Sequence, residues 1–221
     1  MVVKSLPSGE ERAPRQDRRR AILDAATELF ADRGFDGVSV QEIADRAGTH
    51  KTTVLYHFAT KDALHDAVLE EGLGRITDTM QEFLAGEFRR ERVAYLLDQI
   101  HGFFAEHLAL ARLLQRELLD PAATDAYMRY FVEPIYLPAL AGFKRAMAEG
   151  TIRDIDPALF IHDAHVQLIG YFCHRDLLER LRPGVDPYSV DALIVRREYL
   201  VDQIFSMLRP AEPMTRKRGR A

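Results

Sequence analysis

The stretch Ser39–Lys61 constrains this 221-residue chain more than any other. Ser39 followed three residues later by Glu42 is a capping-box signature, and Val38 ahead of it can pack on Ile43 as a hydrophobic staple. Ile43, Ala44 and Ala47 then share one face of a helix of about two turns. Gly48 supplies the left-handed residue that ends it. Thr49 is placed to cap a second helix. In that helix Val54 and Phe58 point inward at i and i+4, while Lys51, Thr52, Leu55 and the flanking Tyr56 point outward. Two short helices split by a glycine turn, the second showing donors and an aromatic ring, predict a helix-turn-helix. Its second helix is the right size for a DNA major groove.

Charge places that surface at one end of the molecule. The chain carries a net −4, but unevenly. Residues 1–60 hold nine basic and nine acidic groups, residues 61–208 hold 16 and 24, and residues 209–221 hold five and one. Arg12 to Arg20 alone has five arginines against Asp17. A DNA face on such a chain must be small and local. The composition, 47% hydrophobic and 29% charged, is that of a globular protein. No stretch reaches the roughly 18 apolar residues that span a bilayer, and no signal peptide is visible at the N-terminus, so no membrane partner is expected. A single cysteine, Cys173, leaves no intrachain disulfide and fits a cytoplasmic location.

The rest of the chain reads as helix throughout, giving an all-α class. Residues 1–14 read as a disordered arm. Ile22, Ala25, Ala26, Leu29 and Phe30 mark a first helix from about Arg15 to Arg33. Thr60 caps a long helix from Lys61 to about Ala85, which Gly72 and Gly74 can bend. Further candidates are 90–108, 109–119, 123–149, 157–181 and 188–208. Pro134 and Pro138 kink or delay the third of these, Asp156-Pro157 opens the fourth, and the basic tail 209–221 reads as disordered. The last two helices are apolar over a wider arc than a surface helix needs. That predicts a homodimer packed through them, with Ile194, Val201, Ile204 and Phe205 on one face of the last helix.

From about Arg18 to Lys61 the chain resembles the DNA-binding domain of the TetR family of bacterial transcriptional regulators. The resemblance rests on Ala21–Phe30, Arg33-Gly34-Phe35, Ser39-Val-Gln-Glu-Ile-Ala, Ala47-Gly48, Tyr56-His57-Phe58 and Thr60-Lys61. It implies a three-helix reading domain, residues 1–60, and a larger helical effector-binding and dimerisation domain, residues 61–208. It also implies a double-stranded DNA operator, a small-molecule effector and no cofactor. The implied DNA-contacting residues are Arg18, Ser39, Thr49, His50, Lys51, Thr52, Thr53, Leu55, Tyr56, His57 and Lys61. Lys61, at a capped helix start, is expected to hold phosphate. His50 stands where the family usually has a small hydroxyl residue, and Leu55 where a tyrosine is common; both bear on which operator is read.

A small-molecule pocket is expected among aromatic walls with polar tips: Phe103, His107, Tyr127, Phe131, His165 and Tyr171. His162 and His165, three apart with Asp163 between, have a spacing that can hold a metal; satisfied histidines are the simpler reading, and no metal site is expected. No nucleophile elbow, glycine-rich phosphate loop or metalloprotease motif occurs, so an enzyme is not expected. Two other readings fit the same residues. One is a metal- or redox-responsive regulator using His162, His165 or Cys173. The other is a helical interaction protein with a coincidental helix-turn-helix.

Overall fold

A computed structural model describes residues 9–119 and 128–210. The elements are α1 (Gly9–Arg33), α2 (Val40–Arg46), α3 (Lys51–His57), α4 (Lys61–Leu84), α5 (Arg90–Glu106) and α6 (Leu108–Glu117). A π-helical segment (Met128–Tyr136) then leads into α7 (Leu137–Ala148), α8 (Pro157–Tyr171), α9 (Arg175–Leu181) and α10 (Val190–Leu208). Among the described residues there is no strand, as the all-α reading requires, and no helix is long and apolar enough to cross a membrane.

One core runs through the molecule. Ile22, Phe30, Ile43, Val54 and Leu64 belong to the same buried cluster as Leu113, Leu114 and Phe172. The boundary expected at residue 60 therefore falls inside a continuous apolar interior. Helix α6 lies against α1, and α4 passes close to α6: a Cβ on Gly72 would stand 2.7 Å from Leu110 Cδ1. Gly72 thus permits a close approach, and α4 runs unbroken past it.

Several boundaries differ from the sequence reading, each for a local reason. Helix α1 reaches back to Gly9, so residues 9–14 are helical and not part of an irregular arm. They lack an apolar period, but Glu, Arg and Ala are good helix formers. The helix expected over 157–181 breaks after Tyr171, where the Phe172, Cys173 and His174 N–H groups turn to carbonyls three residues back and the Tyr188 hydroxyl also donates to Tyr171 O (3.3 Å). Helices α5 and α6 meet at His107, whose Nδ1 bonds the Phe103 carbonyl at 2.8 Å and satisfies an end-of-helix acceptor. Pro134, with no N–H to give, sits in the π segment, and Pro138 sits in the first turn of α7, where donors are spare. The expected start of the 123–149 helix and the tail beyond Pro210 lie outside the described residues.

His101 is 1% exposed on α5, and neither ring nitrogen has a hydrogen-bond partner among the described residues. Burial, reinforced by Arg196 and Arg197, pulls its pKa down to about 4. The unfolded chain would titrate it near 6.5. Between those values the unfolded state holds a proton that the folded state rejects, so stability is lost as pH falls through 6.5 and the loss levels off below about 4. His101→Leu is expected to leave stability at pH 7.5 unchanged or higher. It should also remove on the order of 2 kcal/mol of the loss between pH 7.5 and 5, by urea unfolding. A Leu variant that loses as much as the parent on acidification would refute the assignment.

Candidate nucleic-acid interface

The helix-turn-helix is built as its sequence predicts up to the glycine. Glu42 N–H donates to Ser39 Oγ (3.3 Å), and Ser39 N–H donates to Glu42 Oε2 (2.8 Å), closing the capping box. Arg33 Nη1 reaches the other carboxylate oxygen at 2.7 Å. Hydrogen bonds from the Ser39 backbone and side chain, then from Arg33, hold the Glu42 carboxyl down to about 2. The Ser39 hydroxyl donates to Glu42 as well (2.8 Å), so in this structure it serves the cap.

Gly48 has φ +64°, and around it Thr49 N–H bonds Ala44 O (2.9 Å) and Gly48 N–H bonds Asp45 O (3.2 Å). This is a Schellman ending for α2. It also corrects the expected role of Thr49: its backbone finishes α2, and the cap position of α3 is His50, with no side-chain cap bond. Val54 and Phe58 are buried, while His50, Lys51, Thr52, Leu55 and Tyr56 (68% exposed) form the open face. Thr49, Thr53 and His57 are half-buried at its edges, and Arg18 is exposed on α1.

Lys61 makes contacts that the sequence did not suggest. Its Nζ donates to Phe35 O (2.7 Å) and Val38 O (3.0 Å) and lies 4.0 Å from the centre of the Phe35 ring. Two of its three donors are spent on the turn that leads into α2. The ammonium therefore straps α4 to the reading head; the expected phosphate contact could draw only on the third donor.

Next to the strap lies a buried polar pair that the sequence reading missed. His65 Nε2 and Glu117 Oε1 are 3.1 Å apart, with the residues 7% and 5% exposed. Phe30 and Phe35 stand edge-on to the imidazole at 5.1 and 5.2 Å. The preceding residue on α6, Arg116, donates to Ala31 O (3.2 Å) and Asp32 O (3.0 Å) at the end of α1, and one turn before it Arg112 pairs with Asp32 at 3.3 Å. A signal was present: Glu117 continues the apolar row Leu110, Leu113, Leu114 of α6, and His65 lies between the buried Leu64 and Val68.

Comparison with known proteins fits this geometry. Residues 22–68 match the family model described as bacterial regulatory proteins, tetR family. An HTH-type transcriptional regulator of Mycobacterium bovis is 35% identical over 190 residues, covering 86% of this chain and 87% of its own. The chain belongs to the TetR family. It is a DNA-binding transcriptional regulator with an N-terminal helix-turn-helix. The repressor AcnR of Corynebacterium diphtheriae is 26% identical over 177 residues, 80% of this chain and 87% of that one. The activator FasR of Mycolicibacterium smegmatis is 40% identical over 73 residues, and the chain spans only 33% of its length. In three dimensions the fatty acid degradation regulator FadR from Bacillus halodurans superposes with a TM-score of 0.61. It is 19% identical, over 90% of this chain and 96% of that one, which shows the shared fold.

The residues expected to line an effector pocket come together in parts. Phe103 stacks on His107 (4.4 Å between centroids, 14°) beside a cleft of about 630 Å3 between α1, α4 and α6. Because the Phe103 carbonyl can only accept, His107 Nδ1 is the donor of that bond. Phe131 meets His165 at 4.4 Å, and burial lowers His165 to about 4. The Tyr171 hydroxyl donates to Pro187 O (2.8 Å), and Arg196 lies 3.8 Å from its ring centre. Tyr127 lies outside the described residues. His162 is exposed beside Asp163 (3.4 Å), His165 meets Phe131, and no group of three or more metal-ligating side chains occurs among the described residues.

If Lys61 is chiefly a strap, Lys61→Ala will lower the unfolding free energy by about 2 kcal/mol, because its bonds involve a charged donor. A purely phosphate-binding lysine would instead leave stability alone and flatten the slope of log K against log salt by about two units, one contact per protomer of the expected dimer. Urea unfolding and DNA titration of the same variant separate the two outcomes.

Proposed function

We propose that this protein is a homodimeric repressor. Paired α3 helices read a two-fold symmetric operator, and a small, largely apolar effector bound in the helical domain releases it. The observation that carries this reading is the clamped junction. Helix α4 starts at Lys61 against the turn into α2 and ends at Leu84, about 36 Å away. Helix α6 grips the end of α1 through Arg116 and meets α4 through Glu117. A ligand that shifts α4 or α6 must therefore shift the reading head, which is a coupling free energy between two sites. Lys51, Thr52 and Leu55 carry the base contacts, with Leu55 suited to a thymine methyl. Phe103, His107, Phe131 and His165 form the walls and orienting groups of the effector site; burial keeps His165 neutral at pH 7. The repressor sense follows AcnR, which matches over most of its length.

Dimerisation is assigned to α8 and α10, but through a different stripe from the one the sequence suggested. Val201 is buried against Val93 and Leu97, and Phe205 stacks on Phe88 at 5.1 Å, so both serve the protomer's own core. Ile194, Val195 (57% exposed) and Tyr199 on α10, with Leu159 and Val166 on α8, form the open apolar face.

Selection of duplexes from a random pool by the purified protein tests the reading. The expected result is a two-fold symmetric sequence with half-site centres about 34 Å apart, released on addition of an apolar compound from a small-molecule panel. Substituting Lys51, Thr52 or Leu55 should change the selected bases, at about 1–3 kcal/mol per lost contact. Recovery of no enriched sequence, or of one without symmetry, would contradict the proposal.

A further inference from the structure

A groove of about 120 Å3 runs between α8 and α10, with the buried Leu97 of α5 at its base. Asp163, Gln167 and Leu168 line it from α8, and Leu200 and Gln203 from α10. One turn further along the same three helices stand His101 on α5, Tyr171 on α8 and Arg196 on α10. These three close one end of the groove. Arg196 lies 3.8 Å from the centre of the Tyr171 ring, donates from Nη2 to Gln167 O (2.6 Å), and is near enough to His101 to help lower its pKa.

Buried polar atoms without partners concentrate at this place. Both ring nitrogens of His101, Nε of Arg196 and Oε1 of Gln203 have no hydrogen bond among the described residues. Arg196 is half-buried and has no carboxylate partner among them, whereas its neighbour Arg197 is taken up by Asp98 and Glu198, 2.9 Å from each. Burial pushes the Arg196 pKa down, the sign of a cation desolvated without a counter-ion. Water can serve an imidazole or an amide oxygen, but it leaves the guanidinium charge uncompensated.

The groove limits what anion can enter. An apolar cavity of roughly 150 Å3 admits benzene, so the occupant has a body of about that size. Leu97, Leu168 and Leu200 offer it apolar walls. Asp163 is exposed on the same groove and repels a negative head group, which directs that group toward Arg196. A planar guanidinium matches a carboxylate. The Gln203 amide can present oxygen or nitrogen by a half-turn.

We propose that this groove is a binding site for a small organic carboxylate. Its apolar body lies on the three leucines, and its carboxylate is held by Arg196 and by the one N–H of the neutral His101 imidazole. The site is separate from the walls assigned to the effector above and does not depend on the operator reading. It opens between the exposed residues of α8 and α10 assigned to the dimer, so two copies would enclose the occupant.

The test uses the full chain without DNA, titrated by isothermal calorimetry at pH 7.5. Benzoate and hexanoate are the probes, and benzamide is the neutral isostere of the first. Benzoate should bind once per protomer and about tenfold more tightly than benzamide, because its hydrogen bonds are charge-assisted. Arg196→Gln should bring benzoate down to the benzamide level. His101→Leu, expected above to keep its stability, should weaken benzoate about fivefold through the lost donor; it carries the test if the arginine variant does not fold. Equal binding of benzoate and benzamide would overturn the proposal, as would displacement of benzoate by equimolar inorganic phosphate. So would a failure of both carboxylates to bind, the result expected if water alone serves these atoms or a side chain of the second copy fills the groove.

Discussion

The buried pair of His65 and Glu117 is the contact on which the architecture turns. Two ionisable groups have been taken out of water at the place where α1, α4 and α6 meet. Such a pair is weak evidence for stability, since desolvation offsets most of the attraction, but removing one partner strands the other and costs several kcal/mol. Here Glu117 Oε2 already lacks a partner among the described residues, so the imidazole is the carboxylate's one direct hydrogen-bond contact. Phe30 and Phe35 hem the ring, Lys61 ties the adjoining turn, and Arg116 closes the end of α1. The pair itself ties α4 to α6, and the Phe30, Phe35, Lys61 and Arg116 contacts join the DNA-reading helices to those that follow residue 60. The reading head is an extension of the helical domain's core, not a bead on a linker.

That continuity gives regulation a physical form. Rigid packing transmits displacement because interiors are dense and have discrete arrangements. Helix α4 touches the turn into α2 at its first residue, approaches α6 at Gly72, and reaches the far end of the helical domain near Leu84. A ligand between these helices need not approach DNA to change the angle at which α3 is presented. In the proposed dimer the exposed apolar residues of α8 and α10 would fix the other half of the geometry, because two recognition helices fit one duplex only if their spacing is held.

The sequence made the reading head legible in detail because local chemistry specifies it. The Ser39–Glu42 box, the positive-φ Gly48 and the inward pair Val54 and Phe58 act within a few residues of one another. What was hidden depends on partners distant in the chain. Lys61 is a helix-start lysine by sequence, and only the fold brings the Phe35 and Val38 carbonyls to it. Tyr171 reads as a pocket residue until Pro187 and Tyr188 arrive to take its hydroxyl and its carbonyl. Val201 and Phe205 share a helical stripe with residues of the open face, and their burial depends on α5 and Phe88. The length of α1 escaped for the opposite reason: its first turns have helix-forming composition and no apolar period.

A double-mutant cycle on His65 and Glu117 measures how firmly the pair ties α4 to α6 where both meet α1, and the shape of the same unfolding transitions shows whether the reading head unfolds with them. The unfolding free energies of His65→Ala, Glu117→Ala and the double variant, read from urea transitions at pH 7.5, supply it. The expected result is strong non-additivity, a coupling of about 1–3 kcal/mol, with each single variant weakened nearly as much as the double. All transitions should remain single, with reading head and helical domain unfolding together. Additive losses, or a separate early transition of the reading head in the parent protein, would contradict the account.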